Sequence, residues 1–489
     1  MLKIALNKPG LSRDVSGFKL FILFLSGVLL NFSCGSADTL NSEEDDYTPV
    51  VNTEGYSEIL CRPGNNSMSL SILFDYDAEV YWEYGTSPGD YSMKTATERI
   101  QKSEPRVAVF SNLLSDSRYY YRTRFRKDGD QGSFGMSLEH SFHTARNPGS
   151  SFTFTIESDE HLYDKKGITS MYKVCLENQA LDRPDFMLSL GDIFGNDHFP
   201  YTITAQEIDV LHENYRPLIG TICHSIPLLI CLGNHEGEND YFMKLNPPDN
   251  LAINGTLARK KYFPNPYPDG FYSGNPVSEP YGIGNPENYY SWTWGDALFI
   301  VLDLYRYQNQ DDSKPKGWDW TMGREQYLWL KKTLESSSSK YKFVFAHHVG
   351  GESRGGIIPA RLYEWGGYDQ NGISYGFPDR RPGFEMPVHD LLASNGVNIF
   401  FQGHDHLFAR EELDGVVYQT VPMPSDSTYN IGYLANADAF TSDVLEGTGH
   451  LRVTVSPGGI RVDFVRAVLP NDETTAFKNR SVPFTYYIR

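Results

Sequence analysis

The chain has 489 residues, of which 62 are acidic and 43 are basic, so its formal net charge is −19. This charge excludes a protein that coats nucleic acid, because such binding needs a surplus of Lys and Arg. Apolar residues make up 40% and aromatic residues 14% of the sequence, which provides a large core and excludes low-complexity disorder over most of the length. At about 150 residues per domain, the length fits roughly three domains, or two domains and an export segment.

The N-terminal segment has the pattern of an export signal. Four basic residues precede an eleven-residue apolar run, LFILFLSGVLL, over residues 20 to 30. A membrane-spanning helix needs about 20 residues, so we interpret residues 1 to 33 as a signal peptide. The ending at Cys34 resembles a bacterial lipoprotein signal, although Asn31 stands where such signals usually carry Leu. The resemblance implies lipidation of Cys34 and export to the cell envelope, on either membrane face; ordinary cleavage and an uncleaved anchor are the alternatives.

Residues 34 to 54 follow as an acidic linker, in which four consecutive carboxylates at 43 to 46 predict a solvated tether. No cysteine pair has the CxxC spacing of a zinc or redox site. Cys231 lies in an apolar run and is predicted to be buried. The sequence leaves the disulfide state of four cysteines open: Cys61, Cys175, Cys223 and Cys231.

Residues 55 to 147 alternate between apolar and polar positions in short runs separated by turn residues, which predicts a small all-β sandwich. The predicted strands are Ser67 to Phe74, Ala78 to Tyr84, Val107 to Phe110 and Tyr119 to Phe125. The segments VYWEYG at 80 to 85 and LLSDSRYYYR at 113 to 122 resemble the fibronectin-type domain that precedes the catalytic domain in purple acid phosphatases.

Residues 148 to 489 change to apolar strands that each run into a polar cluster, with helical patterns between them, so the predicted class is α/β. Ligands in such folds bind beyond the carboxyl ends of the strands. Three later strands after residue 415 suggest a second sheet packed on the first. The main predicted strands are 152 to 156, 186 to 190, 226 to 232, 297 to 302, 342 to 346 and 397 to 401, with helices at 167 to 181, 205 to 219, 323 to 336 and 386 to 395.

Five polar clusters follow predicted strand ends. They are SDEH at 158 to 161, GD at 191 to 192, GNHE at 233 to 236, AHH at 346 to 348 and GHDH at 403 to 406. Imidazole suits zinc and iron, and carboxylate or amide oxygen suits manganese, so the mixed set predicts transition-metal binding. Seven side chains exceed what one tetrahedral ion uses, which predicts two ions bridged by a carboxylate; Fe, Mn and Zn remain open.

The ordered blocks closely resemble those of the calcineurin-like metallophosphoesterases, DxH, GD, GNH, H and GHxH, over about residues 150 to 410. The resemblance implies a four-layer α/β/β/α sandwich. It also implies that Asp192 bridges the two metals. The remaining ligands are carried over as Asp159, His161 and His406 for the first metal and Asn234, His347 and His404 for the second.

The resemblance further implies that His235 protonates the leaving oxygen, with phosphate binding as its alternative role. His348 and Arg354 are candidates for the substrate cleft. In the purple branch a metal-bound tyrosine follows the GD block by three residues, and here that position is Gly195, so a colourless or weakly coloured protein is expected. Asp197 lies nearby but out of register with the acidic residue of the protein-phosphatase branch. The other seven histidines, His198 among them, are interpreted as ordinary surface or core residues.

The predicted activity is hydrolysis of phosphate esters by a hydroxide that bridges two metal ions, since such a pair lowers the pKa of water toward neutrality. Monoesters are favoured over diesters. The alternatives are a surface lipoprotein that binds glycan or protein on a phosphatase-like scaffold, and a phosphoprotein phosphatase. The expected partners are a small phosphate ester and a membrane reached only through the lipid anchor; substrate identity, protein partners and oligomeric state are not readable.

Overall fold

The computed structural model describes residues 55–164, 166–198, 201–308, 317–350, 354–431, 437–441 and 444–489. The predicted signal peptide, Cys34 and the acidic linker lie outside these residues. None of the described helices combines the length and the apolar character that crossing a membrane requires.

The N-terminal region is built from β-strands, and the four strands predicted there are present. The first strand was not predicted, because its sequence, YSEILC, does not alternate regularly between apolar and polar residues. In the structure its polar residues Ser57 and Glu58 are buried together with its apolar ones. Its strands are β1 (Tyr56–Cys61), β2 (Ser67–Phe74), β3 (Ala78–Gly85), β4 (Met93–Lys94), β5 (Glu98–Ile100), β6 (Arg106–Ser111), β7 (Arg118–Lys127), β8 (Gly135–Met136) and β9 (His140–His143).

These strands form two facing layers around an aromatic core that includes Trp82, Phe110 and Tyr121. Strands β3 and β7 pair along their length and carry the short strands, while β1, β2 and β6 form the opposite layer. Cys61 in β1 also pairs with Leu228, so this layer continues the first sheet of the following region. The domain boundary at residues 147 and 148 stays a prediction.

The strands and helices predicted in the second region are present with boundaries shifted by a few residues, and the structure adds several that were not predicted, among them the helix Leu251–Tyr262. Its strands are β10 (Phe152–Glu157), β11 (Met187–Ser189), β12 (Leu228–Ile230), β13 (Ser273–Gly274), β14 (Tyr290–Trp294), β15 (Ala297–Val301), β16 (Tyr341–Phe345), β17 (Ile399–Gln402), β18 (Phe408–Leu413), β19 (Val416–Thr420), β20 (Val444–Leu445), β21 (Gly449–Ser456), β22 (Gly459–Arg466) and β23 (Phe484–Ile488). Its helices are α1 (Thr169–Asp182), α2 (Ala205–Cys223), α3 (Asp240–Met243), α4 (Leu251–Tyr262), α5 (Arg324–Ser336), α6 (Tyr363–Gly366), α7 (Phe377–Arg380) and α8 (Val388–Ser394).

Two large sheets pack face to face and helices cover their outer faces, which confirms the four-layer α/β/β/α sandwich. The first sheet has the order β23-β22-β21-β10-β11-β12-β1-β2-β6, and the second has the order β13-β14-β15-β16-β17-β19-β18-β20. Phe154, Phe299 and Phe401 belong to the apolar layer between the sheets. Helices α1, α2 and α4 cover the first sheet, and α5 and α8 cover the second.

The later strands divide between the sheets, which differs from the simple expectation of a separate second sheet. Strand β19 joins β17 in the second sheet, whereas β21 returns antiparallel to β10 in the first. The second sheet therefore begins earlier, at β13, and the chain crosses back after β20. Hydrophobic pattern shows that a strand is buried but does not show which neighbour it pairs with.

The four cysteines in the described part of the chain are buried free thiols: Cys61, Cys175, Cys223 and Cys231. Burial raises the pKa of the Cys61 thiol to about 11, so it stays protonated near neutral pH. A protonated buried thiol is a poor nucleophile and metal ligand, and these residues act as small apolar groups.

Candidate metal centre

The predicted ligands come together where the carboxyl ends of five parallel strands meet. Strands β10, β11 and β12 of the first sheet lead into the SDEH, GD and GNHE clusters. Strands β16 and β17 of the second sheet lead into AHH and GHDH. Because the two sheets pack face to face, side chains from both reach the same edge of the sandwich.

One group of ligand atoms comes from Asp159, His161 and His406, whose donor atoms all lie within 4.8 Å of one another. Oδ1 of Asp159 lies 3.8 Å from Nε2 of His161 and 3.5 Å from Nε2 of His406. All three residues are buried, and Oδ1 of Asp159 and Nε2 of His161 have no hydrogen-bond partner among the described residues. Buried polar atoms without partners are rare, and a bound cation would satisfy both.

A second group is formed by Asp192, His347 and His404. Nδ1 of His347 donates to the carbonyl of Leu190 at 2.8 Å, which leaves Nε2 free as a ligand. That nitrogen lies 3.2 Å from Oδ2 of Asp192, 3.2 Å from Nδ1 of His404 and 3.2 Å from Oδ1 of Asn234. Four potential ligands thus face one point.

Asp192 lies between the two groups. Its Oδ2 is 3.8 Å from Nε2 of His161 in the first group and 3.2 Å from Nε2 of His347 in the second. The donor set mixes carboxylate, amide and imidazole, which fits borderline transition metals. The residues present therefore fit a pair of cations that share Asp192.

The electrostatics of the centre favour positive charge. Burial opposes ionisation of His347, but the carboxylates of Asp192 and Asp159 outweigh it and raise the pKa of His347 to about 10. Burial likewise opposes the charge on Asp159, yet the neighbouring His347 holds the pKa of Asp159 well below its usual value. Two buried carboxylates kept ionised attract cations of any kind, protons or metals.

The backbone around the ligands is strained. Asp159, His161, Asp192, His404 and His406 all have positive φ angles, between 45° and 66°. Such conformations cost about 1 to 3 kcal/mol each outside glycine and persist where the surroundings fix them, most often at functional sites. The chain therefore turns sharply after three different strands to aim these side chains at one point.

A carboxylate that the sequence did not single out fixes two of these turns. Glu236 accepts hydrogen bonds from the backbone N–H groups of Asp192 at 3.1 Å, Ile193 at 2.8 Å and Phe194 at 3.2 Å, and from that of Gly233. A side chain on Gly233 would collide with Asp192, so glycine is required for this approach. Glu236 therefore joins the loop of the bridging Asp192 to the loop that carries Asn234 and His235.

His235 points its Nε2 toward the centre, 3.9 Å from Oδ2 of Asp192. Its Nδ1 hydrogen-bonds to Oδ1 of Asp197 at 2.8 Å. Burial opposes the charge, but Asp192 and Asp197 raise the pKa of His235 to about 9. Asp197, out of register in sequence, is thus placed by the short 3₁₀ turn Asn196–His198 to hold this imidazole.

The absence of a tyrosine at position 195 has a structural counterpart. The ring of Tyr163 occupies the space beside Gly195, where any side chain would collide with it. The Tyr163 hydroxyl lies 2.9 Å from Nδ1 of His161, on the side of that imidazole away from the other ligands. Tyr163 therefore supports a ligand instead of offering its own oxygen to the centre.

The two predicted substrate residues are placed differently. His348 is buried, with Nδ1 donating to the carbonyl of Val349 at 2.7 Å and its ring centroid 4.6 Å from that of His404. Arg354 donates to the carbonyl of His404 and lies 3.4 Å from Oδ1 of Asp405, so its guanidinium contacts the GHDH loop. Both border the centre, and their roles toward substrate stay predictions.

His198 is not an ordinary surface residue remote from the site, as the sequence suggested. Its ring centroid lies 5.2 Å from that of His235 and 5.1 Å from that of Tyr163. No sequence signal separated it from the other histidines outside the five blocks, because its position depends on the turn that follows Gly195.

The fold and the paired carboxylate–imidazole groups define a metal-dependent hydrolase scaffold. The sequence profile of the calcineurin-like phosphoesterase family matches residues 152–408, more than half of the chain. The chain belongs to this family, whose members need divalent metals. A comparison by sequence with curated proteins gave no significant match.

Two solved structures share the architecture over most of the chain. PhoD superimposes with a TM-score of 0.61 at 18% identity, covering 88% of each chain. Purple acid phosphatase PPD1 from yellow lupin (Lupinus luteus) seeds gives a TM-score of 0.58 at 17% identity, covering 88% of this chain and 73% of the lupin protein. At these identities the likeness shows the fold alone, and it extends to the N-terminal β region.

Proposed function

We propose that this chain hydrolyses phosphate monoesters with two divalent or trivalent transition-metal ions held at the edge of the sandwich. The observation that carries the proposal is the convergence of two buried ligand groups on either side of Asp192, with Nε2 of His161 and Nε2 of His347 at 3.8 Å and 3.2 Å from its Oδ2. Family membership supports a phosphoesterase.

Asp159, His161 and His406 would hold one ion, and Asn234, His347 and His404 the other, with Asp192 between them. Such a pair, when bound, activates water and neutralises phosphoryl charge. The protein's part is to fix the ligands, through the strained turns and through Glu236, and to keep Asp159 and Asp192 ionised. Positioning and charge stabilisation are what phosphoryl transfer chiefly needs.

His235 is proposed as the proton donor to the leaving oxygen. Asp197 holds Nδ1 at 2.8 Å, which orients the ring with Nε2 toward the centre. The side chain of His235 is 24% exposed, so a leaving group at the mouth of the site can approach it. A donor in this position contributes about 10² to 10⁴ in rate.

Preference for monoesters follows from charge. A monoester dianion carries one more negative charge than a diester, so it gains more from a cation pair and from the charged His235 at short range. The net charge of −19 on the whole chain acts from farther away and is screened over about 8 Å at physiological salt.

The test is a metal analysis of the purified chain combined with kinetics on p-nitrophenyl phosphate and bis(p-nitrophenyl) phosphate. We expect two metal ions per chain and a kcat/KM at least about tenfold higher for the monoester, from roughly 1.4 kcal/mol of added electrostatic stabilisation. A higher value for the diester would reverse the preference. Absence of turnover with iron, manganese and zinc would favour the alternative of a binding protein on a phosphatase scaffold.

We also propose that the protein is exported and anchored by a lipid on Cys34. The support is the apolar run at residues 20 to 30, which is separated from this cysteine by three residues. Radiolabelled palmitate should be incorporated into the wild type and not into Cys34→Ala, and equal labelling of both would contradict the proposal.

A further inference from the structure

A second group of metal-type ligands lies on the more exposed side of His235. Asp197, His198 and His235 each offer an atom within 4.8 Å of the others. Their side chains are 24%, 32% and 24% exposed, whereas the ligands of the central groups are mostly buried. The group is therefore open to ions from solution.

The imidazole of His235 contacts both the candidate metal centre and this more exposed group. Its Nε2 faces the centre, 3.9 Å from Oδ2 of Asp192, and its Nδ1 faces outward to Asp197 at 2.8 Å. An ion bound at Nδ1 of His235 therefore lies outside the proposed pair of metal ions. It does not compete for the seven ligands proposed to hold that pair.

His198 completes the outer group. In the described part of the chain no hydrogen bond reaches either of its ring nitrogens, and the nearest carboxylate oxygen, Oδ2 of Asp164, is 4.0 Å from Nε2. The edge of the ring packs against Tyr163, with centroids 5.1 Å apart at an interplanar angle of 70°. His198 is thus held beside His235 by packing, and one nitrogen of its neutral imidazole keeps a lone pair available.

We propose that Asp197, His198 and Nδ1 of His235 bind a third divalent cation, and that its binding inhibits hydrolysis. Two imidazoles and a carboxylate with an open fourth position suit zinc, which binds nitrogen at about 2.0 to 2.1 Å. Small side-chain rotations bring donors within 4.8 Å to such distances. The inhibitory part rests on the proposed function.

Inhibition follows from the position of the third ion. A cation on Nδ1 takes the place of the proton shared with Asp197, and that proton is released to solvent. His235 then loses the hydrogen bond that orients it, and the added cation stands at the mouth where the leaving group must pass. Hydrolysis slows although the central pair stays bound.

The experiment counts zinc directly. The full chain, loaded with metal, is dialysed against rising concentrations of Zn²⁺, and bound zinc is measured by mass spectrometry for the wild type, His198→Ala and His198→Gln. His224→Ala serves as the matched control, since His224 lies at the end of α2 against the β region. We expect three ions in the wild type and the control, with the third site weakened at least about tenfold in both His198 variants.

Turnover of p-nitrophenyl phosphate in the same samples gives the second readout. Zinc at concentrations that fill the third site should suppress the wild type, and the His198 variants should need at least about tenfold more zinc. A wild-type count of two, or a third ion held equally by His198→Ala, overturns the site. A third ion that leaves turnover unchanged overturns the inhibitory role. If neither the wild type nor any variant hydrolyses p-nitrophenyl phosphate, the proposed function fails. The number of bound zinc ions still decides whether the third site exists.

Discussion

Two clusters of histidine and carboxylate in this molecule differ in whether their buried polar atoms have hydrogen-bond partners. In the first, the candidate metal centre, Oδ1 of Asp159 and Nε2 of His161 have no hydrogen-bond partner among the described residues. In the second, Asp182 at the end of α1 accepts from His450 at 2.8 Å, Arg452 at 2.9 Å and Arg480 at 2.7 Å. Both of its oxygens are satisfied.

The second cluster even contains Cys175, whose sulfur lies 3.9 Å from Nδ1 of His450 in an arrangement that resembles a nucleophilic triad. The side chains of Cys175, His450 and Asp182 are buried, and burial raises the pKa of Cys175 well above its ordinary value. Both oxygens of Asp182 accept hydrogen bonds, and the side chains of Asp182 and His450 are fully buried. Unpartnered, converging lone pairs therefore mark a functional site better than residue types do.

The largest expected effect comes from removing the carboxylate between the two ligand groups. Asp192→Asn should lower metal content below one ion per chain and reduce turnover by about 10³-fold or more, because both cations lose a shared charge. Metal analysis and p-nitrophenyl phosphate kinetics measure this. Asp182→Asn, the same chemical change in the other cluster, is the matched control and should keep both metals. Full metal content in Asp192→Asn would refute the bridging role.

The proton donor can be separated from the ligands beside it. His235→Ala should retain both metals and lose about 10² to 10³ in kcat for alkyl phosphates, with a smaller loss for p-nitrophenyl phosphate, whose leaving group needs less protonation. The measurement is kcat across leaving groups of different pKa. An equal loss for good and poor leaving groups would remove the assignment.

The second cluster, around Asp182, should affect the stability of the protein and not its turnover. Asp182→Ala leaves His450, Arg452 and Arg480 without their shared partner; the two arginines are 23% and 31% exposed, so we expect a loss of about 1.5 to 3 kcal/mol, the range for a hydrogen bond to a charged group. Urea unfolding should show this decrease in the free energy of unfolding. The turnover of the remaining folded protein should equal that of the wild type, and a specific loss of turnover would mean that the two clusters are coupled.

A substitution of Glu236 tests whether its hydrogen bonds to the two loops position the candidate ligands. Glu236→Gln replaces one oxygen by an NH₂ group that faces backbone donors, so we expect metal affinity to fall about 10- to 100-fold. Competition with a metal chelator measures the affinity. Excess metal should restore most of the turnover if the role is positioning, which a general loss of folding would not allow. Unchanged affinity would limit Glu236 to loop packing.

The smallest effect is a difference in acid sensitivity. Although burial opposes ionisation, the contacts with His450, Arg452 and Arg480 lower the pKa of Asp182 to about 2. A depressed pKa in the folded state stabilises the protein above the unfolded-state pKa of about 3.9, and this contribution is lost as pH falls toward 2. The difference in unfolding free energy between wild type and Asp182→Asn should therefore shrink from pH 5 to pH 2. A constant difference would contradict the shifted pKa.

The candidate ligands could be predicted because each follows a strand, and the carboxyl ends of parallel strands meet at one edge. Asp197, His198 and Tyr163 were not distinguishable in this way. Their positions depend on the turn after Asp192 and on the space beside Gly195 that the ring of Tyr163 fills. Glu236 stood inside a recognised block, but its four backbone donors come from two separate loops.

The sequence by itself determined the α/β class, the main strands and helices of the second region and the seven candidate ligands, because hydrophobic periodicity and short motifs are local properties. Only the tertiary structure decided how β19 and β21 divide between the two sheets, which carboxylate holds His235, and which histidine stands beside it. Those contacts join residues far apart along the chain, and their geometry is set by sheet packing and by close approach at glycine, which no local pattern encodes.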